Sequence, residues 1–387
     1  MNLNELFIRH GGRNLGRFLN YKELVEISSK LNLPLAPPLT ASVQVTLRCN
    51  SKCSYCNMWK FKKNKSMPLD TLEEIFGSFR DLGVKIVSLT GGEPLTRNDL
   101  SEVIHLARHY GMQSHLCTNG ISLTRERAIE LAEAGIFGIV LSLDTLNPEI
   151  YERHRGIPFK FAEQALESLC YVVNEYPRIH GAVTCVITRH NIKDLVSFAE
   201  SISEYGQGKI LINLQPYHPP MSFSEISKGL SQEDAVELSK CYEDQLPSNF
   251  APEPELKPIF ERDIEELVSL KEKGYPINNS ELYLRSIPDF LFNNKTPLNL
   301  NCLAGYTGII VRHDLKVVPC WRLSPVGDLR KEKMTDIWFS EKYKKKRSDM
   351  RNLKCQRCLL LCHNEPGWFD LYKSIYKSSM KKCDEAK

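Results

Sequence analysis

Short apolar runs recur at near-even intervals through the first half of the chain, at 43–47, 85–89, 113–117, 138–143, 182–187 and 209–214. Between them, near 70–82, 98–110, 124–134, 159–175 and 191–203, apolar residues recur at helical spacing. Short strands alternating with helices predict a parallel sheet built from repeated strand–helix units. Six units fall short of a closed eight-stranded barrel. The expected fold is therefore α/β, a partial (βα)6 TIM-like barrel followed by a cysteine-rich C-terminal domain. An amphipathic helix is expected within 15–31, before the stiff run Pro34, Pro37, Pro38. Residues 1–40 read as an N-terminal extension that caps the barrel bottom or sits near a membrane. Residues 41–216 read as the core barrel. Residues 217–300 complete the core with linker helices near 231–245 and 256–273. A compositional boundary near 295 separates them from the tail, 301–387.

Chemistry in such barrels sits at the carboxyl ends of the strands. Each short polar motif falls there: Cys49 after the first run, Gly91-Gly92-Glu93 after the second, Thr118-Asn119-Gly120 after the third, Ser142-Leu143-Asp144 at the fourth, Thr188 and Asn191 at the fifth, and Gln215-Pro216 at the sixth. Cys49, Cys53 and Cys56 have the spacing C-x3-C-x2-C, so three thiolates can point at one centre. Sulfur-rich donor sets select iron–sulfur clusters or zinc. Structural zinc takes four protein ligands, and the next histidine is the distant His105. A cluster held by three thiolates leaves one iron open to a small chelating molecule. Zinc with a remote fourth ligand is the competing reading.

Composition narrows the setting. The chain has 387 residues and thirteen cysteines, bunched at short spacings as metal ligands are. No basic, then apolar, signal pattern opens it, and no run of 18 or more apolar residues is present. The expected location is cytoplasmic, where disulfides are disfavoured. A net charge of +4 is too mild for a dedicated nucleic-acid binder. The one dense basic run, 342–347, reads as a solvated helix face. The isolated Cys117, Cys170, Cys185 and Cys241 read as small buried hydrophobes.

The run C49-N-S-K-C53-S-Y-C56 followed by G91-G-E-P94, T118-N-G120 and S142-L-D144 resembles the radical S-adenosylmethionine (SAM) superfamily over roughly residues 41–216. The resemblance implies a [4Fe-4S] cluster whose open iron binds the amino and carboxylate groups of SAM. Reductive cleavage would then give a 5′-deoxyadenosyl radical that abstracts a substrate hydrogen. Gly91 and Gly92 would let the backbone approach the ligand. Glu93 would fix the turn or meet the methionyl ammonium. Ser142 and Asp144 would bond ribose hydroxyls, and Tyr55 would set its backbone near adenine. Thr118 and Asn119 would line the same pocket, Asn119 being equally a turn residue.

The tail cysteines Cys355, Cys358, Cys362 and Cys383 have the spacing C-x2-C-x3-C and a distant fourth, which suits a four-thiolate cluster or a zinc knuckle. The tail resembles the SPASM domain and its shorter relative, the twitch domain, with C302-L-A-G305 and V318-P-C320 as the opening hairpin. That likeness makes Cys355, Cys358, Cys362 and Cys383 the ligands of an auxiliary [4Fe-4S] cluster serving electron relay or support. The usual pattern has a cysteine a few residues past the third ligand, where this chain has Asn364, Glu365 and Pro366, and another between 302 and 320. At least one auxiliary cluster is therefore expected. Cys302 and Cys320 hold an incomplete second cluster, complete a different one, or pack, and His313 and His363 are weak alternative ligands.

The related families act on ribosomal peptides, sulfatases and small molecules such as cyclitols, sugars and tetrapyrroles. Forty residues before the first strand fall short of a leader-recognition domain, so a small-molecule oxidation or rearrangement is the expectation. A peptide- or protein-modifying maturase is the alternative. A nucleic-acid modifier and a non-catalytic iron–sulfur carrier or scaffold are further readings, and a carrier needs neither Gly-Gly-Glu nor an open three-thiolate site. Tyr217, His218 and Arg189 are candidate acid–base residues. Arg153, His154 and Arg155 read as a positive loop that meets a substrate anion or pairs with Glu149 and Glu152. A low-potential donor such as ferredoxin or flavodoxin is the expected partner.

Overall fold

A computed structural model describes residues 21–56, 58–60, 66–218, 250–293, 302–352, 354 and 358–360. The expected helix near 231–245, Cys241, Cys355, Cys362, His363 and Cys383 lie outside the described residues. The elements run α1 (Tyr21–Leu31), β1 (Thr40–Thr46), α2 (Leu69–Leu82), β2 (Ile86–Gly91), α3 (Leu100–His109), β3 (Gln113–Thr118), α4 (Arg125–Ala134), β4 (Gly138–Ser142), α5 (Pro148–Arg155), α6 (Lys160–Glu175), β5 (His180–Ile187), α7 (Leu195–Tyr205) and β6 (Ile210–Pro216). They continue with α8 (Lys257–Glu272), α9 (Glu281–Phe292), α10 (Ala304–Thr307), β7 (Gly308–Val311), β8 (Lys316–Val318), β9 (Gly327–Asp328), α11 (Met334–Phe339) and α12 (Glu341–Arg351).

The six predicted strands form one parallel sheet in the order β6-β5-β4-β3-β2-β1, the partial barrel expected. Register sets one apolar position beside the next, Val43 by Leu89, Leu89 by Leu116 and Leu116 by Ile139. These side chains are fully buried in the same core as Phe76 and Phe79 of α2. The alternate positions share the opposite face, and they are more polar: Ser42, Ser88 and His115 align, as do Ser142, Thr184 and Asn213.

Helix α1 lies across the starts of β1 and β2, burying Tyr21, Leu24 and Val25 with Leu39, Ile86 and Tyr306. The tail continues the barrel sheet: β7 pairs parallel with β1, and β8 and β9 extend it antiparallel. The boundary near 295 is thus a change of composition that hydrogen bonding crosses. No helix among the described residues is long and apolar enough to cross a membrane.

Two helices correct the sequence reading. Helix α9 carries Pro288 in its interior, which disguises it as irregular chain. Helix α5 occupies the stretch read as a positive loop. Asn147 caps it by accepting from Ile150 N at 3.2 Å, Pro148 opens it, and Gly156 closes it with a positive φ of 65°.

The basic run is also only partly a solvated face. Tyr343, Arg347 and Met350 share the buried side of α12. Arg347 lies between Tyr343 and Trp338, its guanidinium carbon 4.0 and 4.2 Å from their ring centres. It donates to the carbonyls of Gly305 (2.8 Å) and Trp338 (2.7 Å). Arg347→Ala is expected to lose about 3 kcal/mol of stability through those charged hydrogen bonds and ring contacts, read as a lower urea midpoint.

His115 stacks on Phe137, with ring centres 5.2 Å apart. Burial, reinforced by His180, holds its pKa down at about 4 from the ordinary 6.5. The folded pKa lies below the unfolded one, so this contribution is complete above about pH 6.5 and is lost as pH falls toward 4. Thermal unfolding of wild type is expected to drop through that window, and His115→Gln to drop less steeply.

Candidate active site

Residues 49–56 form a loop at the carboxyl end of β1, gripped from two sides. On one side stands the end of α5, whose last carbonyls have no intrahelical donor. Arg155 O accepts from Ser51 Oγ (2.8 Å) and Lys52 N (3.2 Å), and His154 O accepts from Ser54 N (2.8 Å) and Ser54 Oγ (3.2 Å). Trp59 Nε1 donates to Cys53 O at 3.2 Å and Cys56 N to the same carbonyl at 3.2 Å. Sequence reasoning missed this use of α5, although Asn147-Pro148 and Gly156 were its visible boundary signals.

On the other side stands Gly91-Gly92-Glu93. Gly92 N donates to Thr46 O (2.8 Å) and Glu93 N to Arg48 O (2.6 Å). A Cβ at Gly91 would lie 2.1 Å from Thr46 O, and one at Gly92 2.2 Å from Arg48 O. The close approach these glycines permit is thus to the backbone that leads into the cysteine loop. Glu93 is 1% exposed and accepts from Leu95 N (3.0 Å), Thr118 Oγ1 (2.7 Å) and Asn119 N (2.6 Å). Burial pushes its pKa up to about 7 against the pull of those hydrogen bonds. These bonds tie the Gly-Gly-Glu turn to the Thr118-Asn119 segment.

Thr118 is buried, and its hydroxyl donates to Glu93 and accepts from Gly120 N (3.0 Å), so it holds the glutamate in place. Asn119 joins its turn to the cysteine loop. Its Oδ1 closes a turn with Ile121 N (3.0 Å), while its Nδ2 reaches Asn50 Oδ1 (2.9 Å) and stands 4.0 Å from Cys49 Sγ.

Asp144 is 2% exposed, and its carboxylate faces inward. It accepts from Tyr55 OH (2.5 Å) and Val186 N (2.9 Å) and pairs with Arg155 at 2.7 Å. These bonds engage the Asp144 carboxylate with the protein itself. They also replace the expected pairing of Arg155 with Glu149 or Glu152, since the Glu152 carboxylate accepts from Phe159 N at 3.0 Å. Asn191 Nδ2 braces Asp144 O at 2.7 Å, and Thr188 N donates to Asn191 Oδ1 at 2.7 Å. Ser142, half-buried at the end of β4, stays on the polar face beside Thr184. The Tyr55 ring stands edge-on to Phe250 (5.7 Å) and His154 (6.2 Å), making an aromatic wall.

The acid–base candidates lie at the ends of β5 and β6. Arg189 pairs with Glu253, and its backbone N–H donates to Phe250 O at 3.0 Å. His218 accepts from Leu359 N at Nε2 (2.9 Å) and so donates from Nδ1 to Pro216 O (2.8 Å). Tyr217 is buried against Phe250, ring centres 5.5 Å apart. Tyr283 OH donates to Leu359 O at 2.6 Å, so His218 and Tyr283 clamp the residue beside Cys358 at the end of β6. His313 turns Nδ1 toward Gln44 Oε1 at 3.3 Å. Cys302, Cys320 and Cys358 are each half-buried, as are Cys117 and Cys170, whereas Cys185 is fully buried.

Among the described residues, no three Cys, His, Asp or Glu side chains already converge as a metal site. The donor set nevertheless suits an iron–sulfur cluster. Three thiols share one loop, and burial raises Cys49 and lifts Cys56 to about 11, each pushed further by its neighbouring cysteines. A cation is at hand, with Arg155 Nη1 4.0 Å from Cys53 Sγ. Metal binding would relieve these raised thiols by taking them as thiolates.

Residues 43–202 match the Radical SAM superfamily, and residues 302–359 match an iron–sulfur cluster-binding domain, SPASM. An AdoMet-dependent heme synthase of Oleidesulfovibrio alaskensis is 23% identical over 306 residues, 78% of this chain and 74% of the relative. Among solved structures, Streptococcus suis SuiB bound to its precursor peptide SuiA has a TM-score of 0.59 at 17% identity, covering 84% of this chain and 70% of that one. Native anSMEcpe with bound AdoMet and the Cp18Cys peptide has a TM-score of 0.58 at 17% identity, covering 91% of this chain and all of that one. These two structures share the fold.

Proposed function

We propose that this chain, which matches the Radical SAM superfamily over residues 43–202 and the SPASM iron–sulfur domain over residues 302–359, cleaves SAM at the Cys49–Cys56 loop to abstract a hydrogen atom from a peptide or protein substrate. The observation that carries the reading is the three-cysteine loop held between the Gly91-Gly92-Glu93 turn and the carbonyl end of α5. Cys49, Cys53 and Cys56 would hold the radical cluster. When bound, it supplies one electron to the sulfonium, giving methionine and a 5′-deoxyadenosyl radical. Glu93 keeps the Gly91-Gly92 backbone in place for the methionyl ammonium, and Ser142 offers its hydroxyl to ribose. Asp144 holds Tyr55 where its ring and backbone flank adenine. Cys355, Cys358, Cys362 and Cys383 would hold an auxiliary cluster that relays electrons, and a ferredoxin or flavodoxin would supply them.

Peptide binding named for SuiB and anSMEcpe supports the peptide reading over the small-molecule one first expected. The heme synthase relative favours a small molecule as the second reading. Size-fractionated extract separates the two. With reconstituted enzyme, SAM and a low-potential reductant, a peptide fraction is expected to stimulate 5′-deoxyadenosine formation and to lose that effect after protease treatment. Stimulation confined to a protease-resistant, low-mass fraction would select the small molecule.

A further inference from the structure

One buried cation in the site is used by none of the roles above. Arg155 is 6% exposed and sits at the end of α5. Its Nη2 pairs with Asp144 at 2.7 Å, its Nη1 stands 4.0 Å from Cys53 Sγ, and its guanidinium carbon lies 5.4 Å from the centre of the Tyr55 ring. Its Nε is buried without a hydrogen-bond partner among the described residues. A buried ion pair recovers little net stability once desolvation is counted, so bracing Asp144 is a weak reason for its presence. A charge a few ångströms from a redox centre in a dry site, by contrast, acts strongly on it.

We propose that Arg155 is a positioning residue that sets the electron affinity of the radical cluster, its guanidinium lying against the Cys53 sulfur and its charge moderated by Asp144. The inference rests on the radical SAM reading. A cluster with three thiolates is anionic, and reduction adds one more negative charge. A cation beside Cys53 therefore favours the reduced form. The carboxylate of Asp144 opposes it, so removing either partner shifts the potential in opposite directions. A residue that only braced the loop would give no such opposition.

The test is an EPR-monitored redox titration of anaerobically reconstituted full-length wild type, Arg155→Gln, Arg155→Lys and Asp144→Asn. Iron content is measured alongside, and the signal followed is the one that changes on adding SAM. Arg155→Gln is expected to move the midpoint potential down, Asp144→Asn to move it up, and Arg155→Lys to stay near wild type. Shifts of one sign in both Gln and Asn variants, no shift in either, or a Gln-like potential in the Lys variant would overturn the inference. If the Gln variant takes up no iron, the Asn and Lys variants decide by the same criteria. A wild type that loads iron yet shows no SAM-sensitive signal would instead count against the radical SAM reading.

Discussion

Cys53→Ala is expected to take up far less iron at the barrel mouth and to form 5′-deoxyadenosine at a rate reduced more than about a hundredfold, since loss of an outer partner of a metal ligand alone typically costs 10–100-fold. Cys53 is the most enclosed of the three thiols, 8% exposed, with Ser51 Oγ at 3.1 Å and the Arg155 guanidinium on its sulfur. Two remaining thiolates cannot hold three irons of a cluster and leave the fourth open. The side chain is small and the loop is held chiefly by backbone bonds to α5 and β2, so the fold is expected to survive. Iron per chain, the visible absorption of the cluster and 5′-deoxyadenosine yield read the effect together. Wild-type yield from the alanine variant would remove the cysteine loop from the chemistry.

Gly92→Ala is expected to have the second largest effect, although it removes no ligand. The new methyl would lie 2.2 Å from Arg48 O and 2.7 Å from Leu47 O. Both are backbone atoms, so the turn after β2 or the residues before Cys49 must move. The bonds Gly92 N to Thr46 O and Glu93 N to Arg48 O go with them. The expected cost is about 2–4 kcal/mol of stability together with reduced iron loading. Gly111→Ala is the control, because among the described residues nothing stands within 4 Å of its added carbon. Its φ of 75° makes alanine cost about 1 kcal/mol there, with iron loading unchanged. Equal iron loading in the two variants would show that the Gly-Gly turn does not shape the loop.

The strands were legible because each is a short apolar run with one face in the core, and periodicity reports such local facts. The cysteine spacing and Gly-Gly-Glu were legible for the same reason, as compact motifs at strand ends. What stayed hidden depends on contacts between distant positions. Tyr55 and Asp144 are 89 residues apart, His218 and Leu359 are 141 apart, and Thr40 meets the tail at Thr307, 267 residues away. No composition or spacing rule reports such pairings. Arg155 was placed in a positive loop because a short charged helix has almost no apolar stripe to reveal it. Arg347 was misread because it ends a basic run, while the helical period turns it inward beside Tyr343. The resemblance assigned Asp144 to ribose; its bonds to Tyr55 and Arg155 are tertiary facts that no motif reports.

The most direct measurement is 5′-deoxyadenosine formed from SAM by the anaerobically reconstituted chain under a low-potential reductant, beside a Cys49, Cys53 and Cys56 triple alanine variant. The expected result is formation by wild type alone, with about eight irons per chain for one four-iron cluster in the barrel and one in the tail. Full iron loading with no 5′-deoxyadenosine under several reductants, even with extract supplied as a substrate source, would contradict the account.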